Sequence, residues 1–211
     1  MKMNAYVAGT GMTRFGKYLD RGLKSLAAEA IDEALRDAGI GREALEAAYM
    51  GNAAASVITG QVLIPGEVVL RGMGIGRIPV VNVENACATS ATAFQQAAAM
   101  VTAGVHDVVL VAGFEKLYSE DKKRTFSVFR GAVDVEEMDR LAEQLVRNAR
   151  ETGARIDLAD AGAKRSLFMD LYASAARNYM KNYGATARHF AMISAKNAWH
   201  GSLNPKAQYQ D

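Results

Sequence analysis

The chain has 211 residues, half of them apolar and 23% charged, with a net charge of +2 and a single cysteine. That length holds one large or two small domains with a sizeable core, and the near-neutral, scattered charge argues against a nucleic-acid or membrane-surface partner. One cysteine excludes an internal disulfide and points to a reducing, cytoplasmic setting, and neither a signal-like apolar stretch nor a membrane-length run is present.

The apolar run Ala5-Tyr6-Val7-Ala8-Gly9 predicts a first strand. Gly9 to Gly16 follows as a loop with a superficial phosphate-binding glycine pattern. Arg14 stands where the third glycine belongs and no helix opens directly after it, so a nucleotide reading is set aside. Leu23 to Ala38 is a helix, with Leu23, Leu26, Ala27, Ala30, Ile31, Ala34, Leu35 and Ala38 at three-and-four spacing and Gly39 as its stop. Arg42 to Glu46 is a short polar turn or helix, and Ala47 to Asn52 a second strand. Gln61 to Gly72 holds a short helix that Pro65 can begin. Gly72, Gly74 and Gly76 mark a loop before a third strand, Pro79 to Val83. From Cys87 to about Ala103 the residues are small or apolar on all sides, the pattern of a buried helix. Val108 to Gly113 is a fourth strand, apolar enough to be covered on both faces.

Residues 1–115 therefore read βαβαβαβ, an α/β pattern implying a parallel sheet whose active end lies beyond the strand C-termini. The composition then shifts. Ser119 to Arg165 is charged and lacks strand patterning, as a solvated insertion would be. Within it, Val135 to Arg150 is an amphipathic helix carrying Met138, Leu141, Leu145 and Val146, and Gly153 to Gly162 is a loop. Ser166 to Tyr183 is a helix with an apolar stripe of Phe168, Leu171, Tyr172, Ala175 and Tyr179, stopped by Gly184. Thr186 caps a last helix, Ala187 to about His200.

Cys87 falls at a strand-to-helix junction, where converging N–H groups and the helix dipole favour an anion and suit a thiolate nucleophile. From the residues alone a small buried hydrophobe is an equal reading. Glu84 and Glu115 follow strands at the same end, and for Glu84 a structural role is favoured over a catalytic one. His106 reads as a surface residue, and His189 and His200 as helix-end residues. No histidine has metal-ligand spacing, so no metal is expected. Met12, Met50, Met73, Met100 and Met169 are expected to fill core gaps.

The segment Asn82-Val83-Glu84-Asn85-Ala86-Cys87-Ala88-Thr89-Ser90 resembles the nucleophile segment of thiolases. Val7 to Phe15, Gly72 to Ile75 and Ala112 to Lys116 point the same way. Tyr179 to Thr186, Lys196-Asn197 and Asn204-Pro205 resemble the sterol-carrier-protein-type, or lipid-transfer-protein-like, branch.

The resemblance implies a thiolase-like N-terminal α/β half over residues 1–115, with a mixed, mainly parallel sheet and helices on both faces. Residues 116–211 would form a mainly helical loop domain. It implies that Cys87 accepts an acyl group from acyl-CoA for Claisen condensation or thiolysis, and that Met169 loosely matches a pocket methionine. Coenzyme A thioesters would be substrates, with no cofactor required.

The second α/β half that family members carry, with its activating histidine and further cysteine, has no counterpart in this sequence. The resemblance thus implies a chain inactive by itself, completed as a homodimer or as a hetero-oligomer with a thiolase C-terminal half or an OB-fold/zinc-ribbon subunit. A non-catalytic structural or acyl-binding subunit and a ketosynthase-like condensing enzyme are the competing readings.

Overall fold

The structure, a computed structural model, describes residues 3–158 and 165–210. It divides into two compact units, Met1–Tyr118 and Ser119–Asp211.

The first unit is built on three parallel strands, β1 (Ala47–Gly51), β2 (Val80–Val83) and β3 (Val109–Gly113), in the order β2-β1-β3. Between them run α1 (Leu23–Ala38) ahead of β1, then α2 (Ala55–Thr59), α3 (Pro65–Gly72) and α4 (Thr89–Thr102). The two-residue side-chain period splits the central strand between two cores. Ala48 and Met50 face α1 and α3, packing with Leu23, Ile31, Leu35, Val69, Leu70 and Leu110. Ala47 and Tyr49 face α4, packing with Val83, Ala93 and Ala97. Every residue of β1 is buried, which explains its unbroken run of small and apolar residues.

The helix boundaries follow from local chemistry. Leu23, Ala27, Ile31 and Leu35 put one stripe of α1 in the core, and Gly39 ends it at φ 68, a conformation glycine adopts without Cβ strain. Pro65 opens α3 at a position that needs no N–H donor. The Asn82 side chain ties this helix to β2, accepting from Gly66 N at 2.8 Å and donating to Glu67 Oε2 at 2.6 Å.

Residues Ala5–Gly9 do not form the expected first strand; they run unpaired, without a turn or bend. The pattern βαβαβαβ is corrected to three strands. Gly9 and Gly11 serve a close approach instead. A Cβ on Gly9 would lie 2.4 Å from Ala34 O, and one on Gly11 would lie 2.0 Å from Ala30 O. The N-terminal segment is thus laid against α1.

The second unit contains α5 (Lys122–Ser127), α6 (Met138–Glu151), α7 (Leu167–Tyr183) and α8 (Ala187–Ser202). Asp121 caps α5 by accepting from Lys123 N at 2.9 Å. Helices α6 and α7 pack together, with Leu145, Ala149 and Ser174 buried. Lys181 Nζ reaches back to Glu151 O at 2.8 Å. Ser166 caps α7 and Gly184 stops it at φ 69. A capping box opens α8, in which Thr186 N donates to His189 Nδ1 at 3.0 Å.

Three expectations of burial are corrected. On α4 only Thr89, Ala93 and Ala97 are buried, because the sheet covers one side of the helix alone. On α7 the stripe residues Tyr172 and Tyr179 are exposed, and α8 has no buried residue. Met50 and Met73 fill the core as expected, but Met100 and Met169 are exposed. Residues 153–158 of the expected Gly153–Gly162 loop lack regular structure, and residues 159–162 lie outside the described residues.

Candidate active site

At the C-terminal end of β2 the chain turns through Glu84 and Asn85 into a tight 3-10 turn, Ala86–Ala88, and then enters α4. Cys87 is the middle residue of that turn and its thiol is exposed. It therefore stands two residues ahead of α4 rather than at the first helical position.

The turn is strained and braced. Ala86 has a φ of 46, a left-handed conformation that costs an L-residue about 1–2 kcal/mol. Glu84 Oε1 accepts from Ala86 N at 2.6 Å. The buried Thr89 hydroxyl accepts from Asn85 N at 2.9 Å and donates to Ala86 O at 2.7 Å. Asn85 Nδ2 donates to Thr92 Oγ1 at 2.9 Å, and Ala88 N to Asn85 O at 2.9 Å. Together these bonds fix the residues of the turn on both sides of Cys87, and none of them engages the thiol itself. The Glu84 carboxylate is spent on the backbone, which gives it the structural role expected of it.

Two glycines let this turn sit on the sheet. Gly51 ends β1 and Gly113 ends β3. A Cβ on Gly51 would lie 3.0 Å from Thr89 Cγ2, and one on Gly113 would lie 2.0 Å from Ser90 Oγ. The first turn of α4 thus rests on the bare backbone at the ends of two strands. Glu115 fixes the neighbouring loop, accepting from Ala53 N at 3.2 Å and Ala54 N at 3.0 Å, while Asn52 Nδ2 donates to Phe114 O at 2.6 Å. Sequence reasoning missed the parts played by Thr89, Asn85, Gly51, Gly113 and Glu115. A glycine closing each of two strands was the available signal.

Among the described residues no histidine, lysine or carboxylate hydrogen-bonds to the Cys87 thiol. His106 is half-buried rather than on the surface, 3.8 Å from Glu46 at the N-terminal end of the strands, opposite Cys87. His189 is engaged in the cap of α8, and His200 stacks edge-on with Trp199 at 4.8 Å between ring centroids. Met169, the other sequence candidate, lies exposed on α7 in the second unit. Among the described residues no group of three or more His, Cys, Asp or Glu is placed to hold a metal, and no helix is long and apolar enough to cross a membrane.

Cys87 thus stands exposed in a braced turn between a parallel strand and a helix of small residues. The chain belongs to the thiolase family: residues 5–211 match the family model described as thiolase, N-terminal domain. It is 32% identical to sterol carrier protein 2 of Gallus gallus over 100% of this chain and 35% of that protein. It is 33% identical to the acetyl-CoA acetyltransferase of Methanocaldococcus jannaschii over 96% of this chain and 45% of that protein. Among solved structures it is similar to the Ltp2-ChsH2(DUF35) aldolase, with a TM-score of 0.60 and 25% identity over 96% of this chain and 44% of that one. The chain thus spans between about a third and a half of the length of these relatives.

Proposed function

We propose that the chain is the N-terminal half of a thiolase-type acyl-CoA acyltransferase, with Cys87 as the acyl acceptor. The observation that carries this is the Cys87 turn itself, an exposed thiol beside the left-handed Ala86 in a turn braced by its neighbours, within a thiolase N-terminal domain. The Cys87 sulfur, as thiolate, attacks the thioester carbonyl of an acyl-CoA. A bond from Cys87 Sγ to the acyl carbon forms, and the bond to the coenzyme A sulfur breaks. The coenzyme A thiolate leaves and takes up a proton equivalent to the one Cys87 lost. In condensation a base takes a proton from the α-carbon of a second acyl-CoA. That carbon bonds to the held acyl carbon, and the bond to Cys87 Sγ breaks to restore the thiolate. In thiolysis Cys87 attacks the β-keto carbonyl of a 3-oxoacyl-CoA, the bond to its α-carbon breaks and that carbon is protonated. The sulfur of free coenzyme A then takes the acyl group from Cys87. The required base is supplied by a completing polypeptide, because no basic side chain among the described residues engages Cys87. Coenzyme A thioesters are the substrates and no cofactor is needed.

Release of free coenzyme A from acetyl-CoA tests this. The chain mixed with a thiolase C-terminal half should release it, the chain alone should not, and Cys87→Ala should abolish it. Equal release by the Cys87→Ala mixture would refute the assignment. The absence of a base beside Cys87 favours one second reading, a non-catalytic thiolase-like subunit that binds an acyl group or a catalytic partner. A similar solved structure is named for two components, Ltp2 and ChsH2, which supports a hetero-complex, and an OB-fold/zinc-ribbon subunit remains the proposed alternative to a second thiolase half. A homodimer is the other proposed assembly. A completed mixture that binds the chain yet never releases coenzyme A would establish the non-catalytic reading.

A further inference from the structure

We propose that Asn52 and Glu115 form a clamp across the ends of the three strands and act as positioning residues for Cys87. This rests on the proposed reading of Cys87 as the acyl acceptor.

The clamp lies on one row of the sheet. Gly51, the last residue of β1, is in register with Val83 on one side and Gly113 on the other, the last residues of β2 and β3. Past this row the three chains part. After β2 the chain reaches Cys87 in four residues, after β1 it enters α2, and after β3 it leaves through Phe114 and Glu115. The backbone ladder ends within one residue of the row, so the spacing of these exits falls to side chains.

Asn52 sets that spacing. Its backbone N–H donates to Val83 O at 3.2 Å. Its side-chain Nδ2 donates across to Phe114 O at 2.6 Å, with a longer contact to Glu115 Oε1 at 3.5 Å. One residue at the exit of the central strand thereby grips both outer strands. Glu115 closes the clamp from the β3 side. Its Oε2 accepts from Ala53 N at 3.2 Å and Ala54 N at 3.0 Å, and its Oε1 accepts from Lys116 N at 3.1 Å. Holding an exposed, flexible carboxylate on three backbone donors costs side-chain entropy. The bonds fix two loops at the end of the sheet that carries Cys87.

Two routes run from the clamp to Cys87. The first is along the chain. Asn52 holds Val83 O, and the braced turn of residues 84–88 follows Val83 directly. The second is steric. A Cβ on Gly51 would lie 3.0 Å from Thr89 Cγ2, and one on Gly113 would lie 2.0 Å from Ser90 Oγ, so the first turn of α4 sits on the two strand ends that the clamp spaces. Thr89 in turn carries the bonds from Asn85 N and to Ala86 O that shape the Cys87 turn. If β1 and β3 splay, Thr89 and Ser90 lose their seat and the Cys87 turn shifts with them. Neither Asn52 nor Glu115 hydrogen-bonds to the thiol, so each acts through the turn. A reacting atom displaced by about 1 Å can lose about 100-fold in rate.

Residue-resolved amide exchange in the chain alone, together with coenzyme A release in the completed mixture, tests the clamp. Asn52→Leu keeps the size of the side chain and removes its donor. Glu115→Gln keeps the size and leaves one carbonyl oxygen for the donors. Far-UV circular dichroism shows that each variant is folded. In both, the amides of Ala86 and Ala88 should exchange roughly 10-fold faster than in the wild type, as expected for the loss of about one hydrogen bond. The double variant should exchange no faster than the faster single, because the two residues form one unit. Leu35→Ala empties a core position outside the clamp and should leave both amides at the wild-type rate, since they open locally. In the mixture with a thiolase C-terminal half, both clamp variants should lower kcat for coenzyme A release from acetyl-CoA by about 10- to 100-fold and leave KM unchanged. Wild-type amide rates in the folded clamp variants would overturn the inference, as would faster amides with an unchanged kcat. Equal acceleration in Leu35→Ala would reduce the clamp to general stability and overturn it too. A wild-type mixture that releases no coenzyme A refutes the proposed function instead, and the amide rates then decide whether the clamp holds the turn.

Discussion

Thr89→Val replaces a hydroxyl by a methyl of nearly the same size in the residue that holds the Cys87 turn. Thr89 is 6% exposed and valine keeps its Cγ2, so its packing survives the change. What is lost is the pair of bonds from Asn85 N at 2.9 Å and to Ala86 O at 2.7 Å. Each neutral hydrogen bond contributes about 0.5–1.5 kcal/mol, and a buried group left unpaired costs about 1–3 kcal/mol. Asn85 and Ala86 are exposed, so water can replace part of what Thr89 gave, and the net cost is about 1–2 kcal/mol. In a unit of this size that lowers the melting temperature by roughly 4–8 °C. The left-handed Ala86 also loses the bond at its carbonyl, so the turn loosens around Cys87. Thermal unfolding and the rate of Cys87 alkylation by iodoacetamide are the paired assays. Thr89→Ser keeps the hydroxyl and should preserve the wild-type alkylation rate, whereas Thr89→Val should change it. A Thr89→Val protein with wild-type melting and alkylation would refute the claim that this hydroxyl braces the turn.

Met50→Ala empties a fully buried position between the sheet and α3, and should cost about 2–5 kcal/mol in urea unfolding. Gly66→Ala places a Cβ 2.6 Å from Met50 Cβ and 2.7 Å from Asn82 Oδ1, and overpacking of that kind should cost about 1–3 kcal/mol. The same unfolding curves check both. Glu115→Ala removes the acceptor for Ala53 N and Ala54 N at the start of α2, whose own cap residue cannot supply one. A loss of about 1 kcal/mol is expected, measured as the shift in urea midpoint, with little change in the slope.

Much of the first unit was legible because its helices and strands carry their signals locally. The three-and-four spacing of α1 and the glycine after it fixed both ends, Leu23 and Ala38. The apolar run of β3 implied cover on both faces, and α1 and α4 provide it. Ala5–Gly9 was misread because a strand needs a neighbour, and the apolar pattern does not reveal whether one is present. The burial of α4 was misread for a related reason. Its small residues permit contact on every side, while this chain covers only the stripe of Thr89, Ala93 and Ala97. At the site, the position of Cys87 after a strand was readable. The braces were not, since Thr89, Asn85 and Glu84 act through a turn whose left-handed residue is an alanine, a type that gives no sequence signal for that conformation. The glycines of Gly9 and Gly11 looked like a failed phosphate motif, and their use is steric contact with α1.

Peptide mapping by mass spectrometry after brief exposure to acetyl-CoA, in the presence of a completing thiolase half, tests the central claim most directly. The account predicts one acetyl group on the peptide containing Cys87, removed when free coenzyme A is added. An unlabelled Cys87 peptide, or acetylation that appears only on lysines, would contradict it.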